Sequence, residues 1–135
     1  MKKLAYLLFT CAALSLTATS CSKNEDPAPA PAPDVPREYQ VEYRVSSATD
    51  LAADYVAYDN ETGGTTTLGT VVLPATYSFK RTMKKGDHLR LLASIPGGTA
   101  SSEVTVSIWL DGKQVKQDVG RGSKARAVPV YIIGE

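Results

Sequence analysis

The sequence contains few of the residues from which catalytic and metal sites are built. Its 135 residues include two cysteines, one histidine and one tryptophan. A single histidine excludes a metal site made of several imidazoles, and a catalytic triad would have to be built around that one ring. The glycine pairs lie in turn-like segments with no helical pattern after them, so no phosphate-binding loop is indicated. The sequence therefore predicts no metal, no cofactor and no enzymatic activity.

An excess of charge of one sign is also missing. The chain has 15 basic and 14 acidic residues. Because phosphate binding requires clustered, uncompensated lysine and arginine, this balance excludes nucleic acid as a partner. Hydrophobic residues make up 43% of the chain and charged residues 21%, as in an ordinary globular protein. One modest domain is expected.

The amino terminus has the pattern of a signal peptide. Met1-Lys2-Lys3 is basic, and the mainly apolar run of residues 4–16 is shorter than the roughly 20 residues that span a bilayer. Ala18-Thr19-Ser20-Cys21 resembles a bacterial lipobox, in which the cysteine receives lipid before cleavage. We expect residues 1–20 to be removed and Cys21 to attach the protein to a membrane. The alternative is an ordinary secretory cleavage site that leaves a soluble protein whose Cys21 is incidental.

Residues 21–38 have the composition of a tether. Five of the eight prolines lie between Pro27 and Pro36, and ten residues of polyproline II would hold a domain on the order of 30 Å from the membrane. Cys11 would leave with the signal peptide, so an acylated Cys21 leaves no thiol for disulfides, metal binding or catalysis. The segment Ser22 to Asp26 resembles the acidic stretch of surface-exported lipoproteins of Bacteroidota. We expect an outer-membrane lipoprotein of the cell envelope, facing either the periplasm or the cell surface.

Residues 39–135 show the alternation of β-strands. From Tyr39 to Val45 apolar and polar residues follow one another with a period of two, which is typical of a half-buried strand. Turn sequences rich in glycine, asparagine and aspartate separate further strand-like runs. Seven or eight short strands at this spacing predict a single all-β domain, an antiparallel sandwich or barrel. The further runs are Ala53 to Asp59, Thr65 to Leu73, Thr76 to Met83, His88 to Ile95, Glu103 to Leu110, Lys113 to Val119 and Ala125 to Ile133.

Asp111-Gly112 predicts a two-residue hairpin of type I′, in which both residues have positive φ. Such a turn sets the register of the strands that it joins. Alternation then places the even-numbered residues from Val104 to Leu110 on the core face and Trp109 on the opposite face. The expected pairs are Leu110 with Lys113, Trp109 with Gln114, Ile108 with Val115 and Val106 with Gln117.

Five segments of the domain follow the pattern of a known family: Tyr43-Arg44-Val45, Ala53 to Tyr58, Val72-Leu73-Pro74, Leu89 to Ala93 and Val104 to Gly112. In these segments the domain resembles the accessory domain of mycobacterial MmpS proteins. The resemblance implies an immunoglobulin-like β-sandwich and, as an alternative function, an accessory role beside an envelope transporter of lipids or siderophores. The chain departs from the family in its lipobox, where the family has a transmembrane helix, and in Ala75, where the family favours tryptophan.

Trp109 is the strongest candidate for a binding residue. An outward indole beside Gln114 and Lys116 would form a flat platform with polar neighbours, suited to a sugar face or a partner protein. The alternative is that Trp109 covers the outer sheet face or packs under a loop.

The other candidate clusters have structural explanations. His88 follows a turn and is expected to be a solvated residue at the start of a strand. Four acids could offer oxygen ligands to calcium, but the calcium-loop pattern is missing and solvated loop acids are expected. Four basic residues either protect a sheet edge or contact anionic lipid heads or polysaccharide. The acids are Asp50, Asp54, Asp59 and Glu61, and the bases are Lys80, Arg81, Lys84 and Lys85.

Together these features predict a lipid-anchored envelope protein that presents a non-catalytic binding or assembly module. Its partners would be the membrane, through Cys21, and an envelope protein or glycan. A small hydrolase is a further alternative that no residue pattern favours.

Overall fold

The computed structural model describes residues 34–135. The predicted signal peptide, Cys21 and most of the tether fall outside the described residues. Within them the chain is all-β and has no helix, which confirms the predicted fold class. The strands are β1 (Arg37–Ser46), β2 (Ala52–Ala53), β3 (Tyr55–Asp59), β4 (Thr65–Leu68), β5 (Val71–Val72), β6 (Ala75–Met83), β7 (His88–Ile95), β8 (Glu103–Leu110), β9 (Lys113–Arg121), β10 (Ala125–Ala127) and β11 (Val130–Ile132).

Two antiparallel sheets form a sandwich. The first has the strand order β6-β1-β8-β9, and the second has β10-β7-β3-β4, with β11 also pairing with β7. Strands β2 and β5 form a separate short pair. Eleven strands replace the seven or eight predicted, since three of the predicted runs are each divided into two. One division has a simple cause: Pro129, which has no amide hydrogen, lies between β10 and β11.

Three strands form most of the core between the two sheets, and each of them buries every second side chain. The buried residues run from Tyr39 to Val45 in β1, from Leu89 to Ile95 in β7 and from Val104 to Leu110 in β8. Because successive side chains of a strand point to opposite faces, this alternation turns one apolar face of each strand inward. Complete burial of one large aliphatic side chain stabilises a fold by about 1.5–3 kcal/mol. These three strands therefore supply most of the hydrophobic stabilisation.

The hairpin between β8 and β9 has the predicted turn. Asp111 has a φ of 50° and Gly112 a φ of 79°, as a type I′ turn requires. The pairs nearest the turn, Leu110 with Lys113 and Trp109 with Gln114, are also confirmed.

Beyond the second pair the predicted register is wrong. The register shifts between Ile108 and Trp109, so that Ile108 pairs with Lys116 and Val115 becomes the extra residue of a bulge. The predicted register would have placed Gln117 opposite Val106, a position that Asp118 occupies in the structure. In the structure Gln117 instead pairs with Ser107 on the outer face.

Tyr43 links the two sheets through the core. Its side chain is fully buried, and its hydroxyl donates a hydrogen bond of 3.0 Å to the backbone oxygen of Asp59 in β3. Its ring lies 5.5 Å from that of Tyr58 and 5.6 Å from that of Phe79, measured between centroids. Burial raises the pKa of the Tyr43 phenol, and the nearby Asp59 carboxylate adds to the effect.

Gly120 marks the closest approach of β9 to β10. A Cβ atom at this position would lie 2.2 Å from the backbone oxygen of Arg126. Because β9 belongs to the first sheet and β10 to the second, this contact brings the two sheets together at one side of the sandwich.

We expect Gly120→Ala to lower the free energy of unfolding by at least about 2 kcal/mol, because its methyl group would overlap the backbone at Arg126. Urea denaturation followed by the fluorescence of the single tryptophan measures the change. Gly69→Ala is the matched control, since nothing lies within 4 Å of its added methyl group. The control should change stability by less than about 0.5 kcal/mol. An equally small effect at Gly120 would contradict the close approach of β9 and β10.

We expect Tyr43→Phe to change how stability depends on pH. The pKa of the phenol is raised in the folded state above its unfolded value of about 10. Its contribution is therefore complete below about pH 10 and is lost as the pH rises further. The variant should be about 1 kcal/mol less stable at neutral pH, from the lost hydrogen bond, and should lose less stability than the parent above about pH 10. Urea denaturation across this pH range is the measurement, with Tyr55→Phe as control. An unchanged alkaline slope in Tyr43→Phe would contradict the assignment.

Candidate functional site

Trp109 lies on the outer face of the first sheet, where alternation in β8 predicts it. The side chain is half-buried, and its indole Nε1 donates a hydrogen bond of 2.9 Å to Ser107 Oγ. The guanidinium carbon of Arg44, on the neighbouring strand β1, lies 3.9 Å from the centre of the indole ring. One side of the ring is therefore covered by a cation–π contact from within the protein.

The structure brings only one of the two predicted neighbours to Trp109. Gln114 is directly opposite Trp109. Lys116 was expected on the same face of the sheet, but the bulge at Val115 moves it to the position opposite Ile108, whose side chain faces the core. Cross-strand partners share a face, so Lys116 does not flank the indole. The predicted arrangement of Trp109, Gln114 and Lys116 is corrected in this respect.

Charged side chains on this outer face are paired with one another. Arg44 binds Glu42, Lys80 Nζ lies 2.8 Å from Glu38 Oε1, and Arg121 Nε lies 2.8 Å from Glu103 Oε2. Because each acid has a basic partner on a neighbouring or the same strand, the outer face of the first sheet offers a ligand little uncompensated charge.

A groove opens on the outer face of the second sheet. Tyr55 in β3, Ser94 in β7 and Arg126 in β10 are consecutive cross-strand partners and form one row. Ser94 is short while its two neighbours are long, so the row has a depression at its centre. Leu92, Pro96 and Lys124 complete most of its lining, and its volume is about 270 Å³. We call this feature the Tyr55 groove.

The Tyr55 groove carries uncompensated positive charge. Lys124 and Arg126 are exposed, and neither makes an ion pair within residues 34–135. The residues that line the groove include these two cations and no acid. Tyr55 is 40% exposed, which is high for a large hydrophobic side chain of a strand. A cationic groove with an aromatic wall is suited to an anionic ligand that also has an apolar surface.

Sequence patterns did not identify this groove. Its row joins residues 55, 94 and 126, which are far apart along the chain, and only strand pairing brings them together. The one available signal was Arg126, which stands between Ala125 and Ala127. Both alanine side chains are fully buried, so alternation along the strand turns Arg126 outward.

Asp59 and its neighbours form a second polar cluster on the same sheet. The Asp59 side chain is buried, which corrects the expectation of a solvated loop acid. Its Oδ2 lies 3.7 Å from His88 Nε2, its Oδ1 lies 3.7 Å from Arg90 Nη2, and Oδ2 accepts no hydrogen bond. His88 is exposed at the start of β7, as expected. Throughout residues 34–135 no three side chains of histidine, cysteine, aspartate or glutamate lie close enough together to hold a metal ion.

Three members of the predicted acidic and basic clusters, Asp50, Lys80 and Arg81, also bind other groups of the protein through their side chains. Asp50 accepts hydrogen bonds from Thr49 Oγ1 at 2.7 Å and Ser102 Oγ at 3.0 Å, and the pKa of its carboxyl is lowered, chiefly by the bond from Thr49. Lys80 is bound to Glu38 on the outer face, whereas Arg81 points to the other side of β6 and reaches the backbone oxygen of His88 at 3.5 Å. The predicted basic cluster is therefore divided between two faces of one strand.

Comparison with known proteins adds no assignment. No family model matches the chain, and no curated protein is significantly similar to it. Over the part of the chain that the structure describes, no helix has the length and apolar character needed to cross a membrane.

We expect Arg44 and Trp109 to be energetically coupled by about 0.5–1 kcal/mol, the usual value of an exposed cation–π pair. A double-mutant cycle with Arg44→Gln and Trp109→Leu isolates this term from the loss of the Arg44–Glu42 pair. Urea denaturation followed by circular dichroism is the measurement, because one variant lacks the fluorophore. A cycle with Lys80→Gln and Trp109→Leu is the control and should give a coupling near zero. Equal couplings in the two cycles would contradict the stacked arrangement.

Proposed function

We propose that the protein is a lipid-anchored component of the cell envelope whose β-sandwich is a non-catalytic binding module. The observation that carries the proposal is the position of Cys21 directly after Ala18-Thr19-Ser20, behind a basic start and a short apolar run. Two or three acyl chains at such a cysteine hold a protein stably on a membrane, whereas a single chain does not. The membrane is the outer membrane, and the domain faces either the periplasm or the cell surface.

The arrangement of the chain supports this role. The first strand of the sandwich begins at Arg37, directly after Pro36, the last residue of the proline-rich segment. Residues 37 and 38, the last two of the predicted tether, thus belong to β1, and the proline-rich part of the tether precedes the strand directly. A stiff spacer of this kind holds a binding surface at a distance from the bilayer, where large envelope ligands reach it.

The Tyr55 groove supports the binding part of the proposal. A concave, partly apolar surface with a few polar groups is the usual form of a ligand site. The groove adds two cations without acidic partners, and ligand binding would satisfy both of them. The Trp109 face is a weaker candidate, because Arg44 already occupies one side of the indole ring.

We expect Cys21→Ala to abolish membrane attachment of the full chain, because it removes the acylated sulfur. The parent protein should incorporate an alkyne-labelled fatty acid and sediment with membranes, while the variant should lose the label and leave the membrane fraction. Cys11→Ala is the matched control, since Cys11 lies within the predicted signal peptide of residues 1–20. This control should retain both properties. An unacylated parent protein that is soluble after cell breakage would refute the anchoring role.

A further inference from the structure

We propose that the Tyr55 groove binds an acidic sugar residue of a polysaccharide. In this complex the sugar ring lies against Tyr55, and its carboxylate lies beside Lys124 and Arg126. The inference rests on the proposed binding function and deepens it, because it names both the site and the chemical class of the ligand.

The size of the groove fits one sugar ring. Neighbouring strands of a sheet are about 4.8 Å apart, so Tyr55 and Arg126, which lie on either side of β7, are separated by about 10 Å at their Cα atoms. The volume of about 270 Å³ lies just below the range of sites for drug-sized molecules. Ser94 forms the low centre of the row, and its hydroxyl can both donate and accept a hydrogen bond.

The lining matches both the apolar surface and the polar edge of a pyranose ring. The C–H groups of a sugar ring form an apolar surface, for which the Tyr55 ring and the side chains of Leu92 and Pro96 are suitable partners. Sugar hydroxyl groups point outward from the ring edge, toward the Ser94 hydroxyl and the solvent. A purely anionic ligand without a ring would leave the apolar part of this lining unused.

The charges favour an acidic ligand over a neutral one. Lys124 and Arg126 both line the groove, and no acid accompanies them there. On the outer face of the first sheet, by contrast, Glu38, Glu42 and Glu103 each have a basic partner. The planar guanidinium of an arginine can bind both oxygens of a carboxylate at once, which adds orientation to attraction. Charge complementarity therefore identifies the ligand as an anion.

The position of the groove favours a sugar over an acidic peptide. Extended peptides usually bind at a sheet edge, where unpaired backbone groups add to the sheet. The groove lies instead over β7, whose backbone is already paired with β3 on one side and β10 on the other. A ligand in the groove must therefore be recognised by side chains, as a sugar ring with a carboxylate would be.

The test is an NMR titration of the ¹⁵N-labelled protein, purified from cells that express the full chain. The probes are short oligomers of galacturonate, mannuronate and glucuronate, and the matched neutral probe is the methyl ester of the galacturonate oligomer. We expect at least one acidic oligomer to shift the amide signals of Ser94 and Arg126. The single indole N–H signal, from Trp109, should not move, which distinguishes the groove from the opposite face. The methyl ester should bind roughly tenfold more weakly, and added salt should weaken binding of the acid.

Three substitutions test the contacts. Lys124→Gln and Arg126→Gln should each weaken binding roughly two- to fivefold, as expected for an exposed charge pair, and Tyr55→Ala should weaken it about tenfold. Lys116→Gln is the matched control, because it removes the same charge from an exposed position outside the groove lining. It should change the affinity less than about twofold. Circular dichroism of each variant verifies that the sheet is intact.

Several results would overturn the inference. They are the failure of all three acidic oligomers to bind, a shift of the Trp109 indole without shifts at Ser94, and equal affinities in the parent and the Arg126→Gln variant. Polyglutamate that binds the groove as tightly as the best acidic sugar would instead identify an acidic peptide site. Tight binding of a neutral glycan or a protein elsewhere on the domain would refute the acidic-sugar assignment and leave the proposed binding function intact.

Discussion

The sandwich depends on the alternation of side chains along β1, β7 and β8. In each of these strands every second residue is apolar and buried, so the faces that meet between the sheets are continuous and free of charge. Because a strand cannot turn one set of side chains inward without turning the other outward, the same alternation also determines the surface. Arg44 and Trp109 face outward for this reason, and so do Tyr55 and Ser94 on the other sheet. The core and both candidate surfaces are thus consequences of one geometric constraint.

The outer faces of the two sheets differ in whether their charged side chains form ion pairs. On the first sheet acids and bases pair across or along the strands, and Arg44 also rests on the indole of Trp109. Exposed pairs of this kind contribute little stability, but they leave no net charge for a ligand. On the second sheet the one buried acid, Asp59, lies near Arg90 and His88, at a distance along the strands from Lys124 and Arg126. Lys124 and Arg126 make no ion pair within residues 34–135.

In the β8–β9 hairpin, local sequence determines the turn and the pairs next to it, but not the register of the rest of the strand. Asp111-Gly112 determines a turn with positive φ, and the first two cross-strand pairs follow directly from it. The bulge at Val115 then shifts the register, so that Lys116 and Asp118 take the positions opposite Ile108 and Val106. The shift also lets Asp118 Oδ2 accept a 2.8 Å hydrogen bond from the backbone amide of Val128. That partner is contributed by another part of the chain and has no signature near the hairpin.

The sequence by itself determined the all-β class, the core faces of β1 and β8, the hairpin turn and the outward direction of Trp109. These depend on the period of a strand and on the φ preferences of single residues, which are local properties. Tertiary structure alone decided that Lys116 does not share a face with Trp109, that Asp59 is buried, and that Tyr55, Ser94 and Arg126 form a groove. Each of these requires strands distant in sequence to pair in one register, and that register follows from the packing of the whole core rather than from any segment within it.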